Sequence, residues 1–334
     1  MNSPTAPPAL RATGLGRRFR GGWALRDCDI DIPAGSVTAL VGANGAGKST
    51  LLQLAADQLR PTTGQIRVFG DDPGSTASRE RRAFLAQDKP LYPDLTVAET
   101  LRLVRELNTA FDTEAAERIV RAGNIRPRSR VGALSAGQRS RVALATVLAR
   151  EADLLLLDEP LADLDPLVRH EITALLMAEA AERQLTLVIS SHVLAEIENV
   201  CDRVLLLHRG EVRLDGDVQE LRDGHTLVRG RAHEDTPDGL PPALDRAAVV
   251  ESSRTGRLVT ALVSHVPATP GQGMPSQDAP GRAATPFVWD QDRWETAAPS
   301  VEELLLGRLR AARAADADAD ADGYGDADGE RSAA

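Results

Sequence analysis

Residues 37–52 read VTALVGANGAGKSTLL. The first five, Val37 to Val41, are apolar and partly β-branched, which is the composition of a short buried strand. After the glycines, Leu51, Leu52, Leu54 and Ala55 recur at helical spacing. Between strand and helix, Gly42-Ala43-Asn44-Gly45-Ala46-Gly47-Lys48-Ser49 fits G-x-x-x-x-G-K-[ST]. In that order of elements the pattern cradles phosphate: glycines let successive N–H groups turn inward, and the helix opening near Gly47 adds its positive end. Lys48 is expected to reach the β- and γ-phosphates, and Ser49 to ligate Mg²⁺. At ordinary glycine usage, a chance match in a chain this long is expected at about one per cent before any context is required.

The use of lysine singles out the same place. The chain carries 39 lysines and arginines together, yet only Lys48 and Lys89 are lysine. Guanidinium is a broad planar fork and ammonium a compact point charge on a thin stem, so a narrow phosphate site takes the second.

The chain has 334 residues, enough for one large domain or two smaller ones. No apolar run approaches the roughly 18–20 residues of a membrane span, and the start MNSPTAPPALRATG lacks the apolar stretch of a signal peptide. The expected location is therefore the cytoplasm. Net charge is −10, of which residues 311–334, with seven acids against two arginines, supply −5. The remaining body is mildly acidic, and no nucleic-acid partner is expected. Cys28 and Cys201 are far apart and lack metal-ligand spacing, so both are expected as reduced packing residues.

Alternating strand and helix patterns over residues 10–222 predict an α/β domain with a mixed, mostly parallel sheet. Its key strands are placed at 37–41, 153–157 and 185–189, each running into polar residues that should converge beyond the strand ends. Residues 93–123 and 138–150 have helical spacing and predict a helical subdomain over about 88–145. Residues 1–9 are expected to be a flexible N-terminus. Residues 223–310 are expected to be a small accessory domain, poorly specified by its weak strand patterns, with a Pro- and Gly-rich flexible loop at 266–286. Order is expected to resume with Trp289 and Trp294, then a short helix from Ser300, which with Glu303 forms a candidate capping box. Residues 311–334 are expected to be a disordered acidic tail. Asp318, Asp320, Asp322 and Gly323 start like a calcium loop, but position twelve is Gly329 and Glu330 comes one residue late.

Leu154 to Leu157 followed by Asp158-Glu159-Pro160 is an apolar strand ending in two acids. A phosphate-loop enzyme places its Mg²⁺ carboxylate and its base there: Asp158 for the metal, Glu159 to polarise the attacking water. Ser135 and Gly137, in LSAGQ at 134–138, fall at the start of a predicted helix and offer a hydroxyl and open N–H groups to a second anion.

With phosphate loop, LSAGQ and LLLLDEP in this order, residues 10–220 resemble the ATP-binding subunits of ABC transporters. LSAGQ is similar to the family's signature sequence, with Ala136 where glycine is usual. The resemblance implies a P-loop ATPase fold, ATP and Mg²⁺ as cofactors, and ATP hydrolysis coupled to transport. It also implies roles for single residues. Gln87 matches the glutamine loop that senses Mg²⁺, Asp165 the aspartate at the dimer interface, and His192 the switch histidine that holds the γ-phosphate and water. Phe19 sits where an aromatic stacks on adenine. Asn44, Gly45, Gly47 and Thr50 complete the phosphate-loop contacts, and Ser135, Gly137 and Gln138 contribute from the signature. In the family the signature of one subunit covers ATP on another, which implies a homodimer working with a separately encoded multi-span membrane permease, peripheral on the cytoplasmic side of the membrane. SSHVLAEIENVCDRVLLLHRGEV and PSVEELLLGRL are similar to the drug and antibiotic exporter branch, which implies export. The alternative is a soluble ABC ATPase acting on a ribosome or another assembly.

Overall fold

The computed structural model describes residues 7–162, 164–193, 200–233, 236–242, 244–265 and 293–325, with side chains described up to residue 317. The expected loop at 266–286, Trp289, Gly329, Glu330 and the side chains of Asp318, Asp320 and Asp322 lie outside the described residues, as does residue 323 beyond its place in a helix. The chain divides into two units, residues 1–212 and 213–334.

In the first unit, β1 (Leu10–Phe19) and β2 (Gly22–Ile32) form an antiparallel hairpin closed where Phe19 pairs with Gly22. Ala9, grouped with the flexible N-terminus on sequence, is fully buried and its N–H donates to Ile32 O at 2.8 Å. β3 (Val37–Val41) is buried at every position and feeds α1 (Lys48–Ala55). β4 (Thr63–Val68) pairs antiparallel with β1, giving a three-stranded sheet ordered β2-β1-β4. The chain continues through α2 (Thr76–Arg81) into β5 (Arg82–Leu85).

The helical region holds α3 (Val97–Glu106) and α4 (Thr113–Ala122), two helices where one continuous helical stretch was predicted. Each begins at its own side-chain cap. Thr96 and Glu99 form a capping box before α3, and Asp112 accepts the N–H of Ala115 before α4. α5 (Ala136–Leu148) follows, then β6 (Leu154–Leu157), α6 (Pro166–Arg183), β7 (Thr186–Ser191), β8 (Arg203–His208) and β9 (Glu211–Asp217), along which the chain leaves the unit.

The central sheet is ordered β5-β6-β7-β3-β8-β9, and β5, β6, β7, β3 and β8 run parallel. Leu154 to Leu157, Leu187 and Val188 are fully buried, as strands covered on both faces require. β3 and β7 are in register with Val41 opposite Ser191, and β6 with β7 with Leu157 opposite Ile189. β3 and β7 therefore end level with each other and β6 ends two residues short of them, and the residues that follow these three adjacent strands are brought together.

The second unit starts after Val212, earlier than the boundary expected at residue 222. The reason lies in α7 (Val218–Asp223): its Leu221 is buried, Leu221 O receives the ring of His225, and Arg222 Nε donates to Pro299 O at 3.0 Å. β10 (His225–Arg231), β11 (Val249–Thr255), β12 (Leu258–Ser264) and β13 (Trp294–Ala297) make an antiparallel sheet ordered β11-β12-β10-β13. Val228, Val259, Ala261, Val263 and Trp294 pack with Leu240 and Leu244 in one core. The Ser300–Glu303 box is reciprocal: Glu303 N–H donates to Ser300 Oγ at 3.1 Å and Ser300 N–H to Glu303 Oε2 at 2.9 Å. It starts α8 (Val301–Gly325), so the helix expected to be short runs into the stretch expected as a disordered acidic tail. No helix among the described residues is long and apolar enough to cross a membrane.

Candidate functional site

Gly47 is the N-cap of α1 with φ +108° and ψ 1°, and a Cβ there would stand 2.5 Å from Ala24 O of β2. Only glycine combines that backbone with that approach. The first helical residue is Lys48, 5 % exposed, and its Nζ donates to the carbonyls of Gly42 at 2.7 Å and Ala43 at 3.3 Å. The ammonium is thus folded back over its own loop and has hydrogen-bonding partners that a phosphate oxygen could replace. Burial lowers the Lys48 pKa, and the charges of Glu159 and Asp158 oppose that shift. Ser49 and Thr50 follow in the first turn, both half-buried.

The two acids after β6 differ in environment. Asp158 is 2 % exposed; its N–H donates to Leu85 O, and its Oδ1 accepts from Ser190 Oγ at 2.7 Å. Glu159 has φ +46°, a left-handed conformation uncommon for a residue with a side chain. That backbone brings its carboxylate into a cluster. Oε1 lies 3.8 Å from Lys48 Nζ, and Oε2 lies 3.1 Å from His192 Nδ1 and 3.5 Å from Gln87 Nε2. Lys48, Glu159, Gln87 and His192, drawn from four separate parts of the sequence, therefore meet, with Asp158 next to Glu159 in the chain. Glu159 is nearly buried while His192 and Gln87 are open to solvent, so the cluster has one closed and one accessible side.

Ser49, Asp158 and Gln87 supply hard oxygen donors of the kind Mg²⁺ accepts together with phosphate oxygens and water. Among the described residues no group of three or more His, Cys, Asp or Glu could hold a metal by itself. The fit is therefore to a cation that arrives with a phosphate-bearing ligand. Cys28 and Cys201 take no part: burial pushes their thiols up to about 11 and about 12, as expected of packing residues.

The signature residues form a second, separately built feature. Ser135 is the N-cap of α5; its Oγ accepts the Gln138 N–H at 3.2 Å, and Gln138 Oε1 accepts the Ser135 N–H at 3.2 Å. Gln138 is thus engaged in a capping box. Gly137 permits close packing of α5 on α6, since a Cβ there would stand 2.9 Å from Val168 Cγ1. Asp165 caps α6, its Oδ1 accepting the N–H groups of Leu167 and Val168. Phe19, at the end of β1, is 44 % exposed, and the Arg17 guanidinium lies 4.7 Å over its ring centre. No contact joins Ser135 or Asp165 to the Lys48–Glu159 cluster among the hydrogen bonds and ion pairs of the described residues. Sequence reasoning missed Ser190, which is one of three hydroxyl residues in a largely buried strand and has no distinguishing signal of its own.

The chain matches the ABC transporter family over residues 25–162. It is 38 % identical over 209 residues to a thiamine import ATP-binding protein, ThiQ, of Jannaschia sp. (strain CCS1), covering 61 % of this chain and 91 % of that one. The chain belongs to the ABC transporter family of ATP-binding proteins. It is an ATPase subunit of a transport system. It is also 39 % identical over 219 residues to an aliphatic sulfonates import ATP-binding protein, SsuB 2, of Pseudomonas aeruginosa (strain UCBPP-PA14), covering 64 % of this chain and 76 % of that one. Among solved structures, a dimeric bacterial ABC transporter cassette superposes with TM-score 0.56 at 25 % identity, covering 62 % of this chain and 98 % of the cassette. The ABC ATPase fold expected from residues 10–220 is the fold observed. The import relatives do not share the export direction that the sequence resemblance implied.

Proposed function

We propose that this ABC ATPase hydrolyses ATP at a site shared between two copies of the chain and drives export through a separately encoded multi-span membrane permease. The observation that carries the hydrolytic reading is the single cluster of Lys48, Glu159, His192 and Gln87 beside buried Asp158. Lys48 gives up its loop carbonyls for the β- and γ-phosphates, and the N–H groups from Gly45 to Thr50 receive the remaining oxygens. Ser49, Asp158 and Gln87 would hold Mg²⁺, which supplies charge neutralisation of the phosphates when bound. Glu159 accepts hydrogen bonding from the attacking water, and His192 orients the Glu159 carboxylate from its open side. Phe19 presents an exposed ring for adenine to stack on.

Ser135, Gly137 and Gln138 form an anion-facing helix start with no partner in the Lys48 cluster, and the related cassette is dimeric. Both favour the reading in which they, with Asp165, complete the site of a second copy. Export rests on the likeness of the stretches following His192 and Pro299 to the exporter branch. Import is the second reading, favoured by the activities named for the thiamine and sulfonate relatives.

The test is a tagged Glu159→Gln chain captured from native membranes with ATP and Mg²⁺, its partners identified by mass spectrometry. Recovery of a stoichiometric multi-span membrane protein supports the transporter reading, and co-recovery of an extracytoplasmic solute-binding protein turns it to import. Recovery of ribosomal or other soluble assemblies, without a membrane protein, defeats both.

A further inference from the structure

Ser190 is the penultimate residue of β7 and is 1 % exposed. Leu187 and Val188 before it are fully buried, so an apolar residue would be the ordinary occupant of its position. A hydroxyl placed there must find partners, and this one has two. It donates to Asp158 Oδ1 at 2.7 Å, and it accepts the backbone N–H of Glu159 at 2.8 Å. One buried group thus grips two consecutive residues to which different tasks fall.

The second grip falls on a strained point. Glu159 is left-handed at φ +46°, and a glutamate keeps that backbone only when its surroundings hold it. The Ser190 hydroxyl is the acceptor for the N–H of that very peptide. If the peptide relaxed, the Glu159 carboxylate would leave its places at His192 Nδ1 and Lys48 Nζ. If Asp158 lost its donor, a nearly buried carboxylate would be free to turn. Register supports the arrangement, because Ser190 pairs with Leu40 of β3 and follows Ile189, the partner of Leu157. That places the hydroxyl one step beyond the last paired residue of β6, beside the acids.

We propose that Ser190 is a positioning residue: its one hydroxyl sets both the Asp158 carboxylate and the left-handed backbone of Glu159, coupling cation binding to placement of the base. The proposal rests on the site reading given under Proposed function. Neither Asp158 nor Glu159 is replaced in its role, and Ser190 touches no reacting atom.

The test uses the full chain with Ser190→Ala, Ser190→Thr, Glu159→Gln and Lys48→Ala. Turnover and KM are measured, and ATP-analogue affinity is measured by fluorescence in EDTA and in Mg²⁺ in the Glu159→Gln background, where turnover does not interfere. Ser190→Ala is expected to lower kcat about 10- to 100-fold while KM stays within about threefold, the pattern of a misplaced group rather than a lost binding contact. Affinity in EDTA should be unchanged, and the gain on adding Mg²⁺ should fall by about fivefold or more. Ser190→Thr keeps the hydroxyl and should recover most of the turnover. A folded Ser190→Ala chain with near wild-type kcat, or with an undiminished Mg²⁺-dependent gain, would overturn the proposal, as would a folded Ser190→Thr chain no better than Ser190→Ala. Should the added methyl prevent folding, the kcat and the Mg²⁺-dependent gain of Ser190→Ala decide without it. If Lys48→Ala and Glu159→Gln both keep wild-type turnover, the site reading beneath the proposal is what has failed.

Discussion

Replacing Gly47 by alanine tests how the phosphate loop is held. Gly47 has φ +108°, where an L residue is strained by about 1–3 kcal/mol. The added Cβ would also stand 2.5 Å from Ala24 O and 2.7 Å from Leu25 Cδ2. Ala24 O is backbone within the β1–β2 hairpin, flanked by the pairs Arg18–Trp23 and Arg17–Leu25, so the loop must move rather than the strand. Overpacking of that kind costs about 1–3 kcal/mol, and the two effects together about 2–5 kcal/mol. Gly45 is the control: φ is +80° and nothing lies within 4 Å of its Cβ, so only strain of about 1–2 kcal/mol applies. Urea unfolding would be followed by Trp23 fluorescence, with Trp289 and Trp294 replaced by phenylalanine, and ATP affinity measured alongside. Gly47→Ala should destabilise the first unit more than Gly45→Ala by about 1–3 kcal/mol and weaken ATP binding more. Equal costs at the two glycines would refute the reasoning that the hairpin backs the loop.

Three further outcomes follow from particular contacts. His225 is buried, receives Arg308 on Nε2 and bonds Leu221 O through Nδ1, which fixes the neutral Nδ1–H form; burial, with Arg308 and His265 nearby, lowers its pKa to about 4. Because the folded value lies below the unfolded one, its contribution is whole above about pH 6.5 and is lost as pH falls through about 4, by about 3 kcal/mol; unfolding followed at Trp294 should show that loss relative to His225→Gln. Ser135→Ala removes a reciprocal cap and should cost about 1 kcal/mol in denaturant, with Ser135→Thr recovering most of it. Phe19→Ala removes a largely exposed ring, so stability should change by under about 0.5 kcal/mol while KM for ATP rises about 2- to 10-fold at constant kcat; an unchanged KM removes Phe19 from the nucleotide site.

Local patterns made much of this site legible. β3 spans the five residues expected of it, and α1 opens directly after Gly47, because glycine, lysine and the leucine stripe all specify the same local geometry. The acids could be placed at a strand end because four leucines in a row leave little choice of structure. What escaped were features made by distant parts of the chain. Ser190 reads as an ordinary strand serine until β7 is set beside β6, and the left-handed backbone of Glu159 has no sequence signal. The split between α3 and α4 depended on Thr96 and Asp112 acting as caps within a continuous helical pattern. The unit boundary differs from the expected one because Leu221 and Arg222 of α7 bind residues of the second unit, a pairing with distant residues that no local pattern announces.

The proposed shared site is tested most directly by mixing two chains that are each expected to be inactive, Lys48→Ala and Ser135→Arg. Their mixed dimer holds one damaged site and one intact site, the latter made from the phosphate loop of one chain and the signature of the other. ATP hydrolysis should return on mixing, to at most about a quarter of the wild-type rate if subunits pair at random. A mixture no more active than either chain alone would contradict a site built from two copies.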